Sequence, residues 1–583
     1  MTPGRRTDRP GAKPERAPAS VPEGRPALEE KASSAPSSWL ARHGPLVAVL
    51  LVIAAAATIR LRVANVPLER DEGEYAYAGQ LILRGVPPYE LAYNMKFPGT
   101  YYAYALALAV FGESARGVRA GLLVVNAATI LLVFSLGRRL LGGPAGAIAA
   151  ASFALLSLDR WVMGVFAHAT HFVILPALAS LALLLPARAP AGAGRVAAAG
   201  ALAGLAVLMK QQGGAFLLLA AALVWWNTRS AAESSGRKIL VRIAWLLFGA
   251  LLPFLAVLLV LAAQGVLDRF FFWTFRYALA YVSEVTLADA WPAFLSQSTF
   301  VARASWPLWL LAGLGFAALW LGRWRTDVRA FVTGLVLASL VALSPGFHFR
   351  EHYFILLLPA AALCTGIAAE TLHSSLARRI RGGLARALAA CLVAAAAAAY
   401  VAAEREYLFT LPPRDVSRSV FGANPFVEAE SVARYVRDRT SPEDPIAVFG
   451  SEPEIYFLAD RRSATGYIYT YALMEPQPFA ARMQDEMRRE IERARPKYVV
   501  GVRIATSWLV RKESGLGIIE WFERFKEENY DLVGVVDIHS PASTTFAWDG
   551  DAKGYAPRST NLIEVYRLKG AGTGSGGRGD GGG

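Results

Sequence analysis

Residues 70–75 read Arg-Asp-Glu-Gly-Glu-Tyr and place three carboxylates a few residues beyond the end of the first long apolar segment. Carboxylates beside a hydrocarbon slab are costly unless they face water, pair with cations or take part in chemistry. Acids at a helix start can also simply cap unpaired N–H groups, and a capping group can still act as a base. We therefore predict a helix that is headed by Asp71 and Glu72 and runs to Gly85, with catalysis at a membrane surface as the role of the acids.

Other charged residues could complement these acids. Lys96 precedes a proline at the start of a short apolar helix, where it either snorkels to the headgroup boundary or contacts a phosphodiester. An ammonium in that second arrangement offsets the charge that grows as a phosphate departs. Lys210 and Arg350 are further candidate anion ligands. Asp159 and Arg160 end another apolar segment, as a boundary ion pair or as substrate contacts.

Four of the seven histidines fall at the predicted ends of apolar segments, as the pairs His168/His171 and His348/His352. Their i,i+3 and i,i+4 spacings would place each pair on one helical face, a geometry that could bind zinc. Histidines at helix ends are, however, commonly plain hydrogen-bonding groups. We favour substrate binding without a metal or other cofactor, and a divalent cation is the alternative left open.

The composition is that of a polytopic membrane protein. Of the 583 residues, 54% are hydrophobic and only 18% are charged, and the mean hydropathy is +0.35, which is too apolar for an ordinary soluble enzyme. The formal charge of +14 comes from basic residues between apolar segments, so we expect no nucleic-acid partner. The two cysteines, Cys364 and Cys391, lie inside apolar segments, which disfavours a disulfide framework or a thiolate metal site.

Eleven apolar segments are candidate membrane spans, because about twenty apolar residues cross the hydrocarbon. They are 45–63, 118–136, 143–158, 162–185, 196–209, 214–226, 239–263, 305–321, 330–343, 353–369 and 384–402. The stretch 99–111 has the length of an interfacial or re-entrant helix, and 196–209 with 214–226 could instead form a re-entrant hairpin. Residues 1–40 are predicted to be a disordered cytoplasmic tail, and 570–583 a glycine-rich flexible tail.

The positive-inside rule orients these spans. With the N-terminus in the cytoplasm and eleven crossings, basic pairs such as Arg138-Arg139 and Arg378-Arg379 fall inside. The polar candidates then converge on the outer face, in the loop 65–117 and at the outer ends of later spans. The high use of Ala, Gly and Arg suggests a GC-rich bacterium, so the membrane would be the bacterial cytoplasmic (inner) membrane.

The composition changes at the end of the predicted transmembrane domain, 41–403, to that of a soluble α/β domain, 404–569. The same parity places this domain outside the cytoplasm. No nucleotide-binding glycine loop occurs in it. The predicted strands are 446–449, 498–502, 532–536 and 561–566, and the predicted amphipathic helices include 428–439 and 479–493.

With these residues in view, the chain resembles the polyprenyl-phosphate-sugar-dependent membrane glycosyltransferases of C-type fold, the group of protein O-mannosyltransferases and lipid A aminoarabinose transferases in glycosyltransferase family 39. The motifs that carry the resemblance lie within 45–215: Asp71-Glu72-x-x-Tyr75, its continuation to Pro87-Pro88-Tyr89, Lys96-x-Pro98, and Gly137-Arg138-Arg139. Met95 departs from the glutamate that aminoarabinose transferases carry before the lysine. His168 and His171 stand where related chains often have Asn or Glu.

The resemblance implies a hexosyl- or pentosyltransferase that takes a sugar from a polyprenyl phosphate and passes it to a hydroxyl acceptor at the outer face. Asp71 matches the catalytic acid of the family and would be the general base, with Glu72 holding Asp71 or the lysine in place. Lys96 matches the phosphate-contacting lysine, Tyr75 belongs to the substrate-binding motif, and Asp159 lies near the second acidic site. The lipid-linked donor and membrane lipid are the expected partners, and the acceptor is a lipid, a glycan or a protein.

Two other functions are weighed against this one. A transporter or flippase of lipid-linked sugars would have many spans, but it would also have charged or broken-helix sites near the middle of the bilayer. This chain concentrates its polar residues at one face instead. A non-catalytic membrane anchor would leave the work to the C-terminal domain, in which no nucleophile–base pair is evident. For that domain we predict acceptor recognition or a lid.

Overall fold

The chain is mainly helical and carries a five-stranded sheet towards its C-terminus, in a computed structural model that describes residues 39–185, 191–230, 235–282 and 286–570. The predicted tails 1–40 and 570–583 lie almost wholly outside these residues. The helices up to Ala403 are α1 (Trp39–Arg62), α2 (Arg70–Leu83), α3 (Gly99–Phe111), α4 (Ala115–Leu141), α5 (Gly143–Leu156), α6 (Ala169–Leu184), α7 (Ala193–Met209), α8 (Gly214–Arg229), α9 (Gly236–Ala263), α10 (Leu267–Phe271), α11 (Ala278–Val282), α12 (Leu287–Ala302), α13 (Trp306–Leu321), α14 (Thr326–Leu343), α15 (Leu358–Leu376) and α16 (Gly382–Ala403).

Each of the eleven predicted apolar segments is helical, but the helices differ in length. Among the described residues, six helices are long and apolar enough to cross a membrane, or seven if the pair α12 and α13, bent by 118°, is one span. The predicted count of eleven is too high by this measure, because α5 with 14 residues and α6 with 16 extend only about 21 and 24 Å, against roughly 30 Å of hydrocarbon. The six are His43–Arg62, Ala115–Leu141, Gly236–Ala263, Thr326–Leu343, Glu351–Leu376 and Gly382–Ala403.

Helix α3 has the bounds predicted for the interfacial helix, and its first turn packs closely against the end of α7. A Cβ on Gly99 would lie 2.6 Å from the carbonyl carbon of Leu208, so this approach requires glycine. The Thr100 hydroxyl donates to the Met209 carbonyl at 2.7 Å. This contact brings the segment before α3, which carries Lys96, next to the segment after α7, which begins with Lys210.

The C-terminal region forms a mixed sheet in the order β1-β2-β5-β3-β4. Strands β1 and β2 pair in parallel, and the other neighbours pair antiparallel. The strands are β1 (Ile446–Phe449), β2 (Tyr498–Arg503), β3 (Tyr530–Ser540), β4 (Ser543–Trp548) and β5 (Leu562–Leu568), and the helices are α17 (Pro413–Phe421), α18 (Phe426–Arg437), α19 (Glu454–Ala459), α20 (Tyr471–Met474), α21 (Ala480–Ala494), α22 (Ala505–Trp508), α23 (Gly517–Asn529) and α24 (Gly550–Lys553).

The four predicted strands are present, and the sequence missed one strand, β4. Strand β4 pairs only with β3 and forms the edge of the sheet. Most of its residues are exposed or partly exposed, and the strand reads Ser-Thr-Thr-Phe-Ala-Trp. Because an edge strand need not present an apolar face on both sides, its sequence lacks the periodic pattern that identified the others.

The segment around α2 is enclosed between the helices and the sheet region. One hydrophobic core contains Tyr75 and Tyr77 of α2 together with Val448 of β1 and Tyr456 of α19. Tyr77 stacks on Tyr456 with 5.2 Å between ring centroids, and its hydroxyl accepts the Ser463 N–H at 2.7 Å. The C-terminal region therefore forms one wall of the space into which the acidic start of α2 projects.

Candidate active site

Glu69, and not Asp71, caps helix α2. The Glu69 carboxylate accepts the N–H groups of Asp71 at 3.0 Å and Glu72 at 2.9 Å. The Glu72 carboxylate in turn accepts the Glu69 N–H at 3.3 Å, and the two contacts together form a capping box. Asp71 therefore does not cap the helix, which was the structural alternative to a catalytic role. Its side chain lines a cavity of about 460 Å³.

Glu72 is paired inside the protein and does not hold Asp71 or Lys96 in place as predicted. It is fully buried and is bonded to Arg119 of α4, with Nε–Oε1 at 2.8 Å and Nη2–Oε2 at 2.5 Å. It also accepts the Ala167 N–H at 2.6 Å. Neighbouring positions on a helix do not share a face, so Glu72 contacts neither Asp71 nor Lys96 and instead joins α2 to α4.

Lys96 lies between two carboxylates of α2. Its Nζ is 3.0 Å from Asp71 Oδ1 and 2.7 Å from Glu74 Oε2. Glu74 is also bonded to the Tyr101 hydroxyl at 2.7 Å, and the Lys96 ammonium stands 4.5 Å from the centre of the Tyr75 ring. The contact with Lys96 that was predicted for Glu72 is thus made by Glu74, which lies one helical turn after Asp71.

The surroundings of Asp71 keep it ionised. Burial alone would raise the pKa of Asp71, but the Lys96 ammonium and the side chains of His168 and His352 hold this pKa well below its usual range. Burial raises the pKa of the neighbouring Glu69 to about 7, against the opposing effect of His168. The two carboxylates therefore differ in protonation near neutral pH, with Asp71 as the stronger acid.

Lys210 and Arg350 line the same cavity and supply positive charge. Within the described part of the chain, the Lys210 ammonium has no carboxylate at ion-pair distance, and it stands 4.2 Å from the centre of the Tyr353 ring. Burial lowers the pKa of Lys210 to about 7, with Asp71 acting in the opposite direction. Lys96 is already neutralised, so Lys210 is the better placed of the two lysines to receive an anion.

The histidine pair at the site is His168 with His352, one residue from each of the two predicted pairs. His168 and His352 both line the cavity, and their rings are stacked with centroids 4.2 Å apart and planes 12° from parallel. Both ring nitrogens of His168 are buried without a hydrogen bond among the described residues. Its Nδ1 is 3.7 Å from Asp71 Oδ2 and from Glu69 Oε1.

Asp71, His168 and His352 each offer a metal-ligand atom, and these atoms lie within 4.8 Å of one another. An imidazole binds a metal in its ring plane, with a nitrogen–metal distance of about 2.0–2.1 Å for zinc. Two stacked, nearly parallel rings cannot both direct a nitrogen at one ion unless one of them rotates. The arrangement therefore fits a metal poorly.

The partners predicted for these two histidines lie elsewhere. His171 is buried in the first turn of α6 and does not line the cavity. His348 packs against Tyr281 with 4.9 Å between ring centroids. The backbone between His348 and His352 is not one helix, because Phe349 has a φ of 43°, so the i,i+4 spacing does not place those two histidines on one face.

Asp159 and Arg160 also lie outside the cavity lining, and they do not pair with each other. Asp159 is fully buried and accepts hydrogen bonds from the Ser305 hydroxyl at 2.5 Å and the Trp161 N–H at 2.8 Å. Burial raises its pKa to about 7. Arg160 forms an ion pair with Glu404 at 2.9 Å. Both side chains are therefore paired with groups outside the cavity.

Residues of the C-terminal region complete the site, and sequence analysis missed them. The Tyr469 hydroxyl donates to Asp71 Oδ1 at 3.0 Å. The guanidinium of Arg70 donates hydrogen bonds to two further residues of this region, to the Tyr471 hydroxyl at 2.9 Å and to the Glu452 carboxylate at 2.7 Å. The stretch 467–471 reads Tyr-Ile-Tyr-Thr-Tyr, and this concentration of aromatic residues was the one signal that could have indicated them.

Part of the chain matches the model of a known protein family. Residues 95–262 match the family model of dolichyl-phosphate-mannose-protein mannosyltransferase. The matched segment contains Lys96, His168 and Lys210 and begins after Asp71. No curated protein matches the sequence.

The fold is similar to that of solved membrane enzymes. ArnT from Cupriavidus metallidurans, in a crystal structure bound to undecaprenyl phosphate, superposes with a TM-score of 0.59 and 15% identity, over 91% of this chain and 99% of that chain. The archaeal oligosaccharyltransferase AglB from Archaeoglobus fulgidus, in complex with an inhibitory peptide and a dolichol-phosphate, gives 0.49 and 14% identity over 89% of this chain and 75% of that chain. The predicted resemblance to the C-type membrane glycosyltransferases, and the predicted helical membrane fold with a C-terminal sheet region, are confirmed.

Proposed function

We propose that this protein, whose residues 95–262 match a mannosyltransferase family model, transfers a hexose or pentose from a polyprenyl phosphate to a hydroxyl acceptor. The observation that carries the proposal is the pairing of charges in one cavity. An ionised carboxylate, Asp71, faces the same space as Lys210 and Arg350, two cations suited to a phosphate. The polyprenyl donor is proposed from the family match and from the undecaprenyl phosphate bound to ArnT.

The proposed reaction exchanges one carbon–oxygen bond for another. The acceptor oxygen attacks the anomeric carbon, and the bond from that carbon to the phosphate oxygen breaks. The acceptor proton passes to Asp71 and then to water, and the polyprenyl phosphate leaves with the bonding electron pair, so that its charge grows from −1 to −2. No external energy source is needed, because the activated bond arrives with the donor.

Asp71 suits the role of general base because its two oxygens have different surroundings. Oδ1 is engaged by Lys96 and Tyr469, whereas Oδ2 has His168 at 3.7 Å as its near neighbour. A carboxylate with a depressed pKa is a weak base, but the attacking oxygen becomes positively charged as its bond forms, and its proton is then acidic enough to transfer late. Tyr469 and Lys96 act as positioning residues.

Lys210 and Arg350 are proposed to hold the donor phosphate. Cations aimed at an anion whose charge increases stabilise the transition state more than the ground state. This assignment moves the main phosphate contact from Lys96, as predicted from the sequence, to Lys210. The reason is that Asp71 and Glu74 already balance the Lys96 charge.

The outer face of the membrane is the proposed location of the cavity. Arg119 near the start of α4 is bonded to Glu72, next to Asp71, whereas Arg138 and Arg139 lie in the last turn of the same helix. At about 1.5 Å per residue, Arg119 and Arg138 are roughly 28 Å apart along the helix axis, which is close to the thickness of the hydrocarbon. On the positive-inside rule the arginine pair would lie in the cytoplasm, which supports the proposed outer location of Asp71.

The test compares Asp71→Asn with Asp268→Asn, a matched change at an exposed aspartate outside the cavity. Purified protein in lipid nanodiscs is given synthetic polyprenyl phosphate carrying a radiolabelled sugar, with a cell-envelope extract as acceptor. We expect Asp71→Asn to lower transfer by about 100-fold or more, the range for loss of a general base, while Asp268→Asn is unaffected. Transfer by Asp71→Asn close to that of the unchanged protein would contradict the assignment of the base.

A further inference from the structure

A second cavity, of about 530 Å³, lies in the C-terminal region between β2, the segment 504–510 and helix α23. Its volume is within the range of small-molecule sites in proteins. All of its walls come from residues between Phe449 and Glu564, so no apolar span contributes to it. A polyprenyl chain that returns to the bilayer would not be expected to enter it.

The floor of this cavity is aromatic. Phe449 stacks on Phe522 with 3.9 Å between ring centroids, and Trp508 packs on Phe449 at 4.7 Å. The Trp508 indole N–H is satisfied by the Val502 carbonyl at 2.9 Å, so the ring offers its apolar face to the cavity. Such a floor favours an acyl or aryl group.

In the part of the chain that the structure describes, the rim of the second cavity has no free positive charge. Arg503 is 3.7 Å from both Glu523 and Glu564. The arginine on the rim is outnumbered by these two carboxylates, and the cavity therefore has no excess positive charge with which to bind a phosphate. This distinguishes it from the cavity of Asp71, where Lys210 stands without a carboxylate at ion-pair distance among the described residues.

The two cavities share a wall. Thr506 and Leu509 line both of them. Leu509 has a left-handed backbone with φ of 50° and, although it is a leucine, 39% of its surface is exposed; the adjacent Val510 is 50% exposed. Unusual backbone conformations at non-glycine residues tend to occur at ligand-binding positions.

The shared wall is also tied to the start of α2. Arg70 donates to the Tyr471 hydroxyl at 2.9 Å, and that hydroxyl donates to the Thr506 carbonyl at 2.7 Å. Thr506 itself donates to Asn424, which lines the first cavity, at 2.7 Å. A molecule that spans the wall would therefore contact elements whose positions are fixed relative to Asp71.

We infer that the second cavity binds the apolar part of the acceptor, which is thus an amphipathic molecule with a hydroxyl-bearing end and an uncharged acyl or aryl end. This inference rests on the proposed function for its hydroxyl end. The hydroxyl end lies in the cavity of Asp71, and the apolar end lies on the floor formed by Phe449, Trp508 and Phe522. Leu509 and Val510 become covered when the acceptor binds.

The test is photo-crosslinking of the full-length protein in nanodiscs with a long-chain alcohol that carries a diazirine on its chain. Peptide mass spectrometry then maps the labelled residues. We expect labelling within 503–523, reduced at least fivefold by excess unlabelled alcohol. Ala505→Trp, which adds an indole at an exposed position on the cavity wall, is expected to reduce this labelling to a similar extent, whereas Ala542→Trp, at an exposed turn, is expected to leave it unchanged.

Three results would overturn the inference: no labelling within 503–523, unchanged labelling of Ala505→Trp, or displacement of the alcohol by polyprenyl phosphate, which would identify the donor chain as the occupant. Asp71→Asn separates the two proposals, since it should abolish sugar transfer and leave the labelling as it is. Labelling without any transfer by the unchanged protein would contradict the proposed function alone. Transfer without labelling would contradict this inference alone.

Discussion

The Tyr469 hydroxyl donates a hydrogen bond to Asp71 Oδ1 across 3.0 Å and thereby joins the C-terminal region to the carboxylate at the start of α2. A donor to a carboxylate stabilises its ionised form and fixes its orientation. The C-terminal region is therefore part of the candidate site and not only its cover.

Tyr469→Phe is expected to lower kcat about tenfold with little change in KM, because one charge-assisted hydrogen bond is lost and substrate contacts remain. The acid limb of the pH–rate profile should move to higher pH, since loss of the donor raises the pKa of Asp71. Tyr467→Phe is the matched control, because it removes a 2.8 Å bond to Glu486 outside the cavity. An unshifted acid limb in Tyr469→Phe would argue for a purely structural tyrosine.

Lys210 should make donor binding depend on pH. Its pKa, lowered to about 7 by burial, means that the ammonium is present below pH 7 and is lost above it, so the donor Kd should rise with pH above about 7. Lys210→Met should raise Kd about 10- to 100-fold. Titration of the polyprenyl-phosphate-linked sugar, a phosphodiester whose charge stays at −1 over this range, into the purified protein at a series of pH values measures both effects.

Lys210→Arg is the control for this pH dependence, because a guanidinium stays charged throughout the range. Glu69, whose pKa burial raises to about 7, gains negative charge over the same interval and would weaken phosphate binding in the same direction. Any slope that persists in Lys210→Arg is therefore assigned to Glu69. An equal slope in both proteins would exclude Lys210 as its cause.

Glu72→Gln should reduce stability rather than chemistry. The Glu72–Arg119 pair is buried, with side-chain exposures of 0% and 4%, and breaking such a pair costs about 3–5 kcal/mol. The melting temperature in nanodiscs should fall, while the kcat of the protein that remains folded stays within about twofold. Asp327→Asn, at an exposed ion pair with Arg325, serves as the control and should cost under about 1 kcal/mol.

Chelation should leave the activity unchanged, because the stacked rings of His168 and His352 do not converge on one ion. We expect EDTA to change transfer by less than about twofold, and elemental analysis to find well under about one metal ion per chain. His352→Phe keeps the stacking and removes the nitrogens. One equivalent of zinc, lost on that substitution, would show that the rings rotate to bind a metal.

The sidedness of α4 can be measured with single cysteines in a background without Cys364 and Cys391. Glu90→Cys changes an exposed residue in the loop before α3 that also carries Lys96, and Arg138→Cys changes an exposed residue in the last turn of α4. A membrane-impermeant maleimide should label the first in intact cells and the second only after permeabilisation. The reverse pattern would place Asp71 in the cytoplasm, away from the proposed donor.

Local sequence patterns were sufficient for the elements themselves. The apolar segments, the bounds of α3 and four of the five strands follow from hydrophobic periodicity, which depends only on neighbouring residues. The sequence also selected Asp71, Lys96, His168, Lys210, Arg350 and His352, all of which line one cavity. These were recognisable because charged and polar groups beside apolar segments are rare without a reason.

Only the tertiary structure decided how these residues combine. Glu72 and Glu74 are the same residue type on the same helix, and only the folded chain decides that Glu72 pairs with Arg119 of α4 while Glu74 pairs with Lys96. His168 meets His352 and not His171, since segments distant in sequence come together only in the folded chain. Sequence spacing predicts a contact only where one regular element carries both residues, and here the decisive contacts, including Tyr469 on Asp71, join separate elements.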